Sequence, residues 1–177
     1  MPEADHPTKL PDCPRLLDTL EQRLREAIER RQLADPVMIG IHSGGVWVAE
    51  QLHLRLGIGE PLGKLDITFY RDDFSRVGMH PQVQASQLPF TLEGRDILLI
   101  DDVFYTGRTI RAALNEIFDY GRPAQVVLGV LIERDGREIP LRPDCVGGML
   151  TLPPGQRIKL TGPKPLALSV HTVEGSA

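Results

Sequence analysis

The chemistry of this chain is concentrated in residues 97–109, ILLIDDVFYTGRT, where an apolar run meets two adjacent carboxylates and a Thr-Gly-Arg-Thr turn follows. Ile97, Leu98, Leu99 and Ile100, opened by Gly94-Arg95-Asp96, read as a central strand buried on both faces of a parallel sheet. Such a strand delivers Asp101 and Asp102 to its carboxyl end, the edge of an open α/β sheet where ligands bind. Beyond Thr106 and Gly107, the apolar residues Ile110, Ala113, Leu114, Ile117 and Phe118 fall at helical spacing, so the turn opens a helix. A helix N-terminus offers unpaired N–H groups and the positive end of a macrodipole, which suits residues 105–109 to a phosphate dianion. Gly107 lets the backbone approach closely, and Thr106 and Thr109 add hydroxyl donors. Arg108 either helps neutralise the phosphate or points into solvent. Two ionised carboxylates behind the phosphate suit a pair of vicinal hydroxyls, which need acceptors, so the arrangement implies a pentose 5-phosphate. Adjacent acids at a strand end are commonplace alone; joined to this turn they specify a site.

The elements that must position these residues alternate along the chain. After Asp12, an expected N-cap, and Pro14, the residues Leu16, Leu17, Leu20, Leu24 and Ile28 recur at three and four, the stripe of an amphipathic helix. Val37–Ile41 reads as a short buried strand, and Gly44-Gly45 precede a helix through about Leu56. Leu65, Ile67 and Phe69 alternate with Asp66, Thr68 and Tyr70 as a further strand. Residues 71–95 lack a sustained period and carry Pro81 and Pro89; a loop that long is usually functional or disordered. Residues 125–131 read as another buried strand. Alternation of this kind implies an α/β fold, a Rossmann-like parallel sheet flanked by helices. In the tail, Leu166, Leu168 and Val170 alternate like an edge strand, and residues 157–160 read as a possible partner between Pro- and Gly-rich turns.

Composition sets bounds on function. With 177 residues and 41% hydrophobic content the chain buries a core and forms one domain, 1–177. A net charge of −4 argues against non-specific adhesion to nucleic acid, although a local basic face survives within an acidic average. Cys13 and Cys145 give neither a disulfide framework nor a zinc pattern and are expected as reduced thiols. No stretch of membrane length and no basic-then-apolar leader is present, so a soluble, cytoplasmic protein is expected.

The 13-residue element resembles the phosphoribosyl-diphosphate (PRPP) signature of type I phosphoribosyltransferases. LDITFYRDD at 65–73, LPF at 88–90, RAALNEI at 111–117, DYGRP at 119–123 and REIPLRPDCVG at 137–147 further resemble the pyrimidine operon attenuator and uracil phosphoribosyltransferase family, called PyrR. The pattern runs over a core of about residues 16–147, leaving 148–177 as a divergent C-terminal extension. The resemblance implies the type I phosphoribosyltransferase fold with a small hood over the carboxyl edge, for which residues 132–148 and the helix near 14–31 are candidates. It implies transfer of the phosphoribosyl group of PRPP to uracil, giving UMP and diphosphate, with Mg²⁺ held by substrate oxygens and only indirectly by Asp101 and Asp102. It implies Asp101, Asp102 and Arg71 as catalytic residues and Val103, Phe104, Tyr105, Thr106, Gly107, Arg108 and Thr109 as the PRPP and UMP contacts. Ser43, Gly44 and Gly45 match the loop that binds diphosphate, commonly through an unusual backbone geometry. Relatives usually read Thr-Arg-Gly there, so a contact worth about 1.5–3 kcal/mol is missing, unless a protonated His42 replaces it.

The family also binds a pyrimidine-operon leader mRNA in response to uridine nucleotides, and Arg134, Arg137 and Arg142 are the candidate phosphate contacts. They matter only if they cluster in space. Gly148 stands where many relatives carry lysine. Relatives form dimers or higher oligomers, which implies self-association. Two alternatives stay open beside uracil phosphoribosyl transfer: an RNA-binding regulator with weak or vestigial catalysis, and a phosphoribosyltransferase for another base.

Overall fold

A computed structural model describes residues 9–67 and 86–173 of the chain. The first helix, α1 (Cys13–Arg30), starts where Pro14 stops any earlier hydrogen bonding, with the Asp12 carbonyl accepting from the Leu16 N–H at 3.1 Å. Its Leu16, Leu17, Leu20 and Leu24 are buried, each contributing about 2 kcal/mol of hydrophobic stabilisation. Then come β1 (Val37–Ile41), α2 (Gly44–Leu56), β2 (Gly63–Leu65), β3 (Asp96–Phe104), α3 (Arg108–Tyr120), β4 (Gln125–Arg134) and β5 (Cys145–Leu150). The five strands form one parallel sheet in the order β2-β1-β3-β4-β5. A separate antiparallel pair, β6 (Gln156–Thr161) and β7 (Ala167–Thr172), closes the described chain.

The period-2 alternation of the strands divides the interior into two layers. Met38, Leu98 and Ile100 face α1 and α2, whereas Val37, Ile39, Ile97 and Leu99 face Ile110, Ala113 and Ile117 of α3. Successive strands run from β1 outward to β2, then return to β3 on the other side of β1. The gap between the carboxyl ends of β1 and β3 is therefore the topological switch point, where open α/β sheets bind ligands.

Three expectations need correction. The helix near 14–31 is part of the core and not of a hood: Leu20 and Leu24 pack on the sheet, and Arg23 donates through Nη1 to the Val146 carbonyl at 2.8 Å. Of the other hood candidate, residues 132–134 belong to β4 and 145–148 to β5, and 135–144 between them lie outside the sheet. A further layer outside that candidate is the β6–β7 hairpin. It rests by Gly162 on Trp47, in the first turn of α2, and by Leu160 on the α1/α2 layer. Finally, β2 ends at Leu65 and does not continue through Asp66 and Ile67, while Thr68, Phe69 and Tyr70 of the expected strand lie outside the described residues. Gln87 pairs antiparallel with Lys64, and the Ser86 hydroxyl accepts the Asp66 N–H at 3.1 Å, so Asp66 is buried where an alternating strand would expose it.

Candidate active site

The strand β3 carries the acids further than its apolar run suggests, because it continues to Phe104 and holds Asp101 and Asp102 inside the pleat. Asp101 is 5% exposed, and its Oδ1 accepts the Asp102 N–H at 2.9 Å. Asp102 is half-buried; its Oδ1 accepts the Val103 N–H at 2.8 Å and its Oδ2 lies over Gly44. The acids are thus unequal, one set inward and one open to the crevice.

Gly44 and Gly45, the first residues of α2, are what let that helix meet β3. A Cβ on Gly44 would lie 2.2 Å from Asp102 Oδ2, and one on Gly45 would lie 2.8 Å from the Ile100 carbonyl oxygen and 3.0 Å from Asp101 Cα. The positive end of α2 is therefore pressed against the acid-bearing strand. Ser43 stands exposed at its N-cap, and the His42–Ser43 peptide is cis. Burial pushes the His42 imidazole below its ordinary value; Lys64 adds to this, while Asp66 and Glu50 oppose it. A protonated His42 replacing the family's arginine is accordingly disfavoured.

Across the crevice, the turn opening α3 is fixed by Gly107, whose φ of 94° lies in the left-handed region. The Thr106 hydroxyl accepts the Arg108 N–H at 3.2 Å, and Thr109 lies in the first turn. The first N–H groups of this helix have no carbonyl one turn earlier, which leaves them to an anion. Phe104 is only 1% exposed, so it offers the site backbone alone, while Val103 and Tyr105 reach the surface. Arg108 donates through Nε to Glu138 Oε2 at 3.0 Å.

Residues 134–139 brace this turn from behind, a role the sequence alone did not disclose. The Glu138 N–H donates to the Thr106 carbonyl at 3.0 Å, and Ile139 lies against Gly107. Arg134 sits under Tyr105, its guanidinium carbon 4.0 Å from the ring centroid, and is 9% exposed. Burial and the tyrosine leave Arg134 little surface to offer a phosphate backbone, although it borders the same depression as the other two candidate arginines. Arg137 and Arg142 are exposed and line one depression of about 280 Å³ with Arg134, Met149 and Thr151, beside the acids Glu133 and Asp135. Arg71 lies outside the described residues.

A second group missed in the sequence joins strand, loop and helix. Ser86 Oγ donates to Glu116 Oε1 at 2.7 Å while accepting the Asp66 N–H. Burial raises the Glu116 pKa, Asp66 and Asp119 raise it further, and the Ser86 hydrogen bond opposes them. Cys13 and Cys145 are free and buried; burial, with Asp144 adjoining, pushes the Cys145 thiol up to about 11. No group of three or more His, Cys, Asp or Glu side chains placed to hold a metal occurs among the described residues, and no described helix is long and apolar enough to cross a membrane.

The phosphoribosyl transferase domain model matches residues 10–151. A "Bifunctional protein PyrR" of Nitrosococcus oceani is 55% identical over 161 residues, 90% of this chain and 91% of that one. Another of the same name from Pseudomonas entomophila is 54% identical over 159 residues, 90% of this chain and 92% of the relative. Matches of that extent run past residue 148. Among solved structures, a hypoxanthine-guanine phosphoribosyltransferase of Bacillus anthracis superposes with a TM-score of 0.62 at 13% identity, covering 81% of this chain and 82% of its own, which is a likeness of fold.

Proposed function

The chain belongs to the phosphoribosyl transferase family, and on that premise we propose that it is a PyrR-type enzyme that transfers the 5-phosphoribosyl group of PRPP to uracil. The observation that carries this reading is the meeting of three features at the switch point: the Asp101–Asp102 strand end, the α2 N-terminus behind Ser43, and the Gly107 turn. The ribose 5-phosphate rests on residues 105–109, and Asp102 accepts the ribose hydroxyls that face the crevice. Asp101 holds the strand end in shape through its bond to the Asp102 N–H. The loop at Ser43, Gly44 and Gly45 takes the diphosphate.

The N1 atom of uracil attacks the anomeric carbon as the bond to the diphosphate oxygen breaks, and the N1 proton passes to solvent. Positive charge develops on the sugar and negative charge on the leaving group. The ionised Asp102 favours the first and the α2 dipole the second. The open carboxylate of Asp102 suits Mg²⁺, a hard ion that Asp102 would help hold indirectly, through water and substrate oxygens, and that would neutralise diphosphate charge. Purified protein given uracil, PRPP and Mg²⁺ should form UMP and diphosphate in equal amounts. Consumption of a different base in a panel would reassign the acceptor, and no product with any base would remove the enzymatic reading.

One observation favours a second role in leader-RNA binding: Arg137 and Arg142 share a single depression with Arg134, where three arginines outnumber the acids Glu133 and Asp135. Replacing either by alanine should weaken leader RNA and lower the slope of log affinity against log salt by about one, leaving uracil turnover intact. An unchanged slope would exclude a phosphate contact by that arginine.

A further inference from the structure

Arg134 is an unusual residue to bury at the end of a sheet strand. Its Nη1 donates to the Gln156 carbonyl of β6 at 3.0 Å, its Nε is buried without a hydrogen-bond partner, and no carboxylate pairs with it among the described residues. A guanidinium removed from water and incompletely satisfied costs stability, so its place must be explained by what it holds. What it holds is Tyr105. The guanidinium covers one side of the ring, and Gly136 meets the ring edge so closely that a Cβ there would fall 2.4 Å from Tyr105 Cε2. Fixed in this way, Tyr105 as a residue is still 46% exposed. Register explains the meeting, since Phe104 pairs with Glu133 and the next residue of each strand is Tyr105 and Arg134.

Tyr105 stands between the acid that takes the ribose hydroxyls and the turn that takes the phosphate. A pentose anchored at those two points presents its anomeric substituent along the same strand end, and an open aromatic face there suits a planar ring. We propose that Tyr105 is the wall on which the pyrimidine stacks and that Arg134 is its positioning residue, tying that wall to the β6–β7 hairpin through Gln156. This rests on the proposed seating of ribose 5-phosphate between β1 and β3.

The test is calorimetric titration of UMP and ribose 5-phosphate into the full-length protein and its variants, so that turnover is not needed. Tyr105→Ala should weaken UMP by roughly 5- to 150-fold, the range for loss of one base–aromatic stack. Arg134→Met, which keeps the stem and removes the charge, should weaken it by about 3- to 30-fold. Arg134→Met should leave ribose 5-phosphate affinity unchanged, Tyr105→Ala should weaken it far less than it weakens UMP, and the double variant should bind UMP no more weakly than Tyr105→Ala alone. Arg134→Lys carries the comparison if Arg134→Met does not fold, with an intermediate loss expected. Equal loss on both ligands, or additive losses in the double variant, would overturn the positioning role. A wild-type protein that binds UMP no better than ribose 5-phosphate overturns the wall itself. Failure of the wild type to bind ribose 5-phosphate sinks the underlying seating instead.

Discussion

Gly45→Ala probes the seam on which the site depends. The added methyl would sit 2.8 Å from the Ile100 carbonyl oxygen and 3.0 Å from Asp101 Cα, both backbone atoms of a central strand that has no slack. Ordinary contact begins near 3.4 Å, so α2 must withdraw from β3 by about half an ångström. Overpacking of this kind costs about 1–3 kcal/mol, and at roughly 2–4 °C per kcal/mol for a chain of this size, Tm should fall by about 2–12 °C. The same withdrawal separates the diphosphate loop from the acids, and misplacement approaching 1 Å costs up to about a hundredfold in rate. Gly44→Ala is the internal control, because its methyl meets the Asp102 carboxylate, which can rotate aside. Rate should suffer there as much, with less loss of Tm. UMP formation from uracil and PRPP, read as kcat/KM beside thermal melts, decides the matter. If Gly45→Ala melted and turned over like wild type, the reasoning from close approach would be wrong.

The unequal acids should separate in the same assays. Asp102→Asn should lower kcat/KM by about 10²–10³ with little change in Tm, whereas Asp101→Asn, at the buried position, should lower both. Glu116→Gln should raise Tm at pH 7.5. The folded-state pKa of Glu116 lies above its ordinary value, so the folded protein gains stability from the extra proton below about pH 4.5 and loses it as pH rises through the folded pKa. The amide removes that loss, so its advantage should vanish on acidification. A gain that persisted at low pH would contradict burial and the neighbouring Asp66 and Asp119 as its cause.

How far the sequence disclosed this molecule depended on whether local pattern or distant contact set each feature. Helix α2 ends at Leu56 as expected but begins at Gly44, taking in the glycine pair expected to precede it. Val37–Ile41 has the bounds its residues suggest, because an unbroken apolar run is a local signal. The turn at Gly107 was legible for the same reason. The end of β3 was not, because two carboxylates look like the end of a buried strand, whereas here backbone N–H groups and the α2 N-terminus accommodate them. Strand β5 was hidden because its first residues fell within the stretch 132–148 assigned to the hood. The structure shows why Gly147 and Gly148 are small: a Cβ on Gly147 would lie 2.8 Å from the Leu16 carbonyl oxygen, and one on Gly148 2.6 Å from Leu16 Cδ2. The burial of Arg134 depends on a ring 29 positions earlier in the chain, which no periodicity reveals.

The pairing of β1 with β3 has a consequence for how the protein comes into being. Val37 and Ile97 are partners although about sixty residues separate them, and closing such a loop costs entropy before any contact repays it. A nascent chain therefore has no pocket until β3 and the turn beyond it have been synthesised and docked. Any ligand that recognises only the joined strands draws unfinished molecules toward completion by mass action. Substrate supply and maturation of the enzyme are thereby linked through a single strand-to-strand seam.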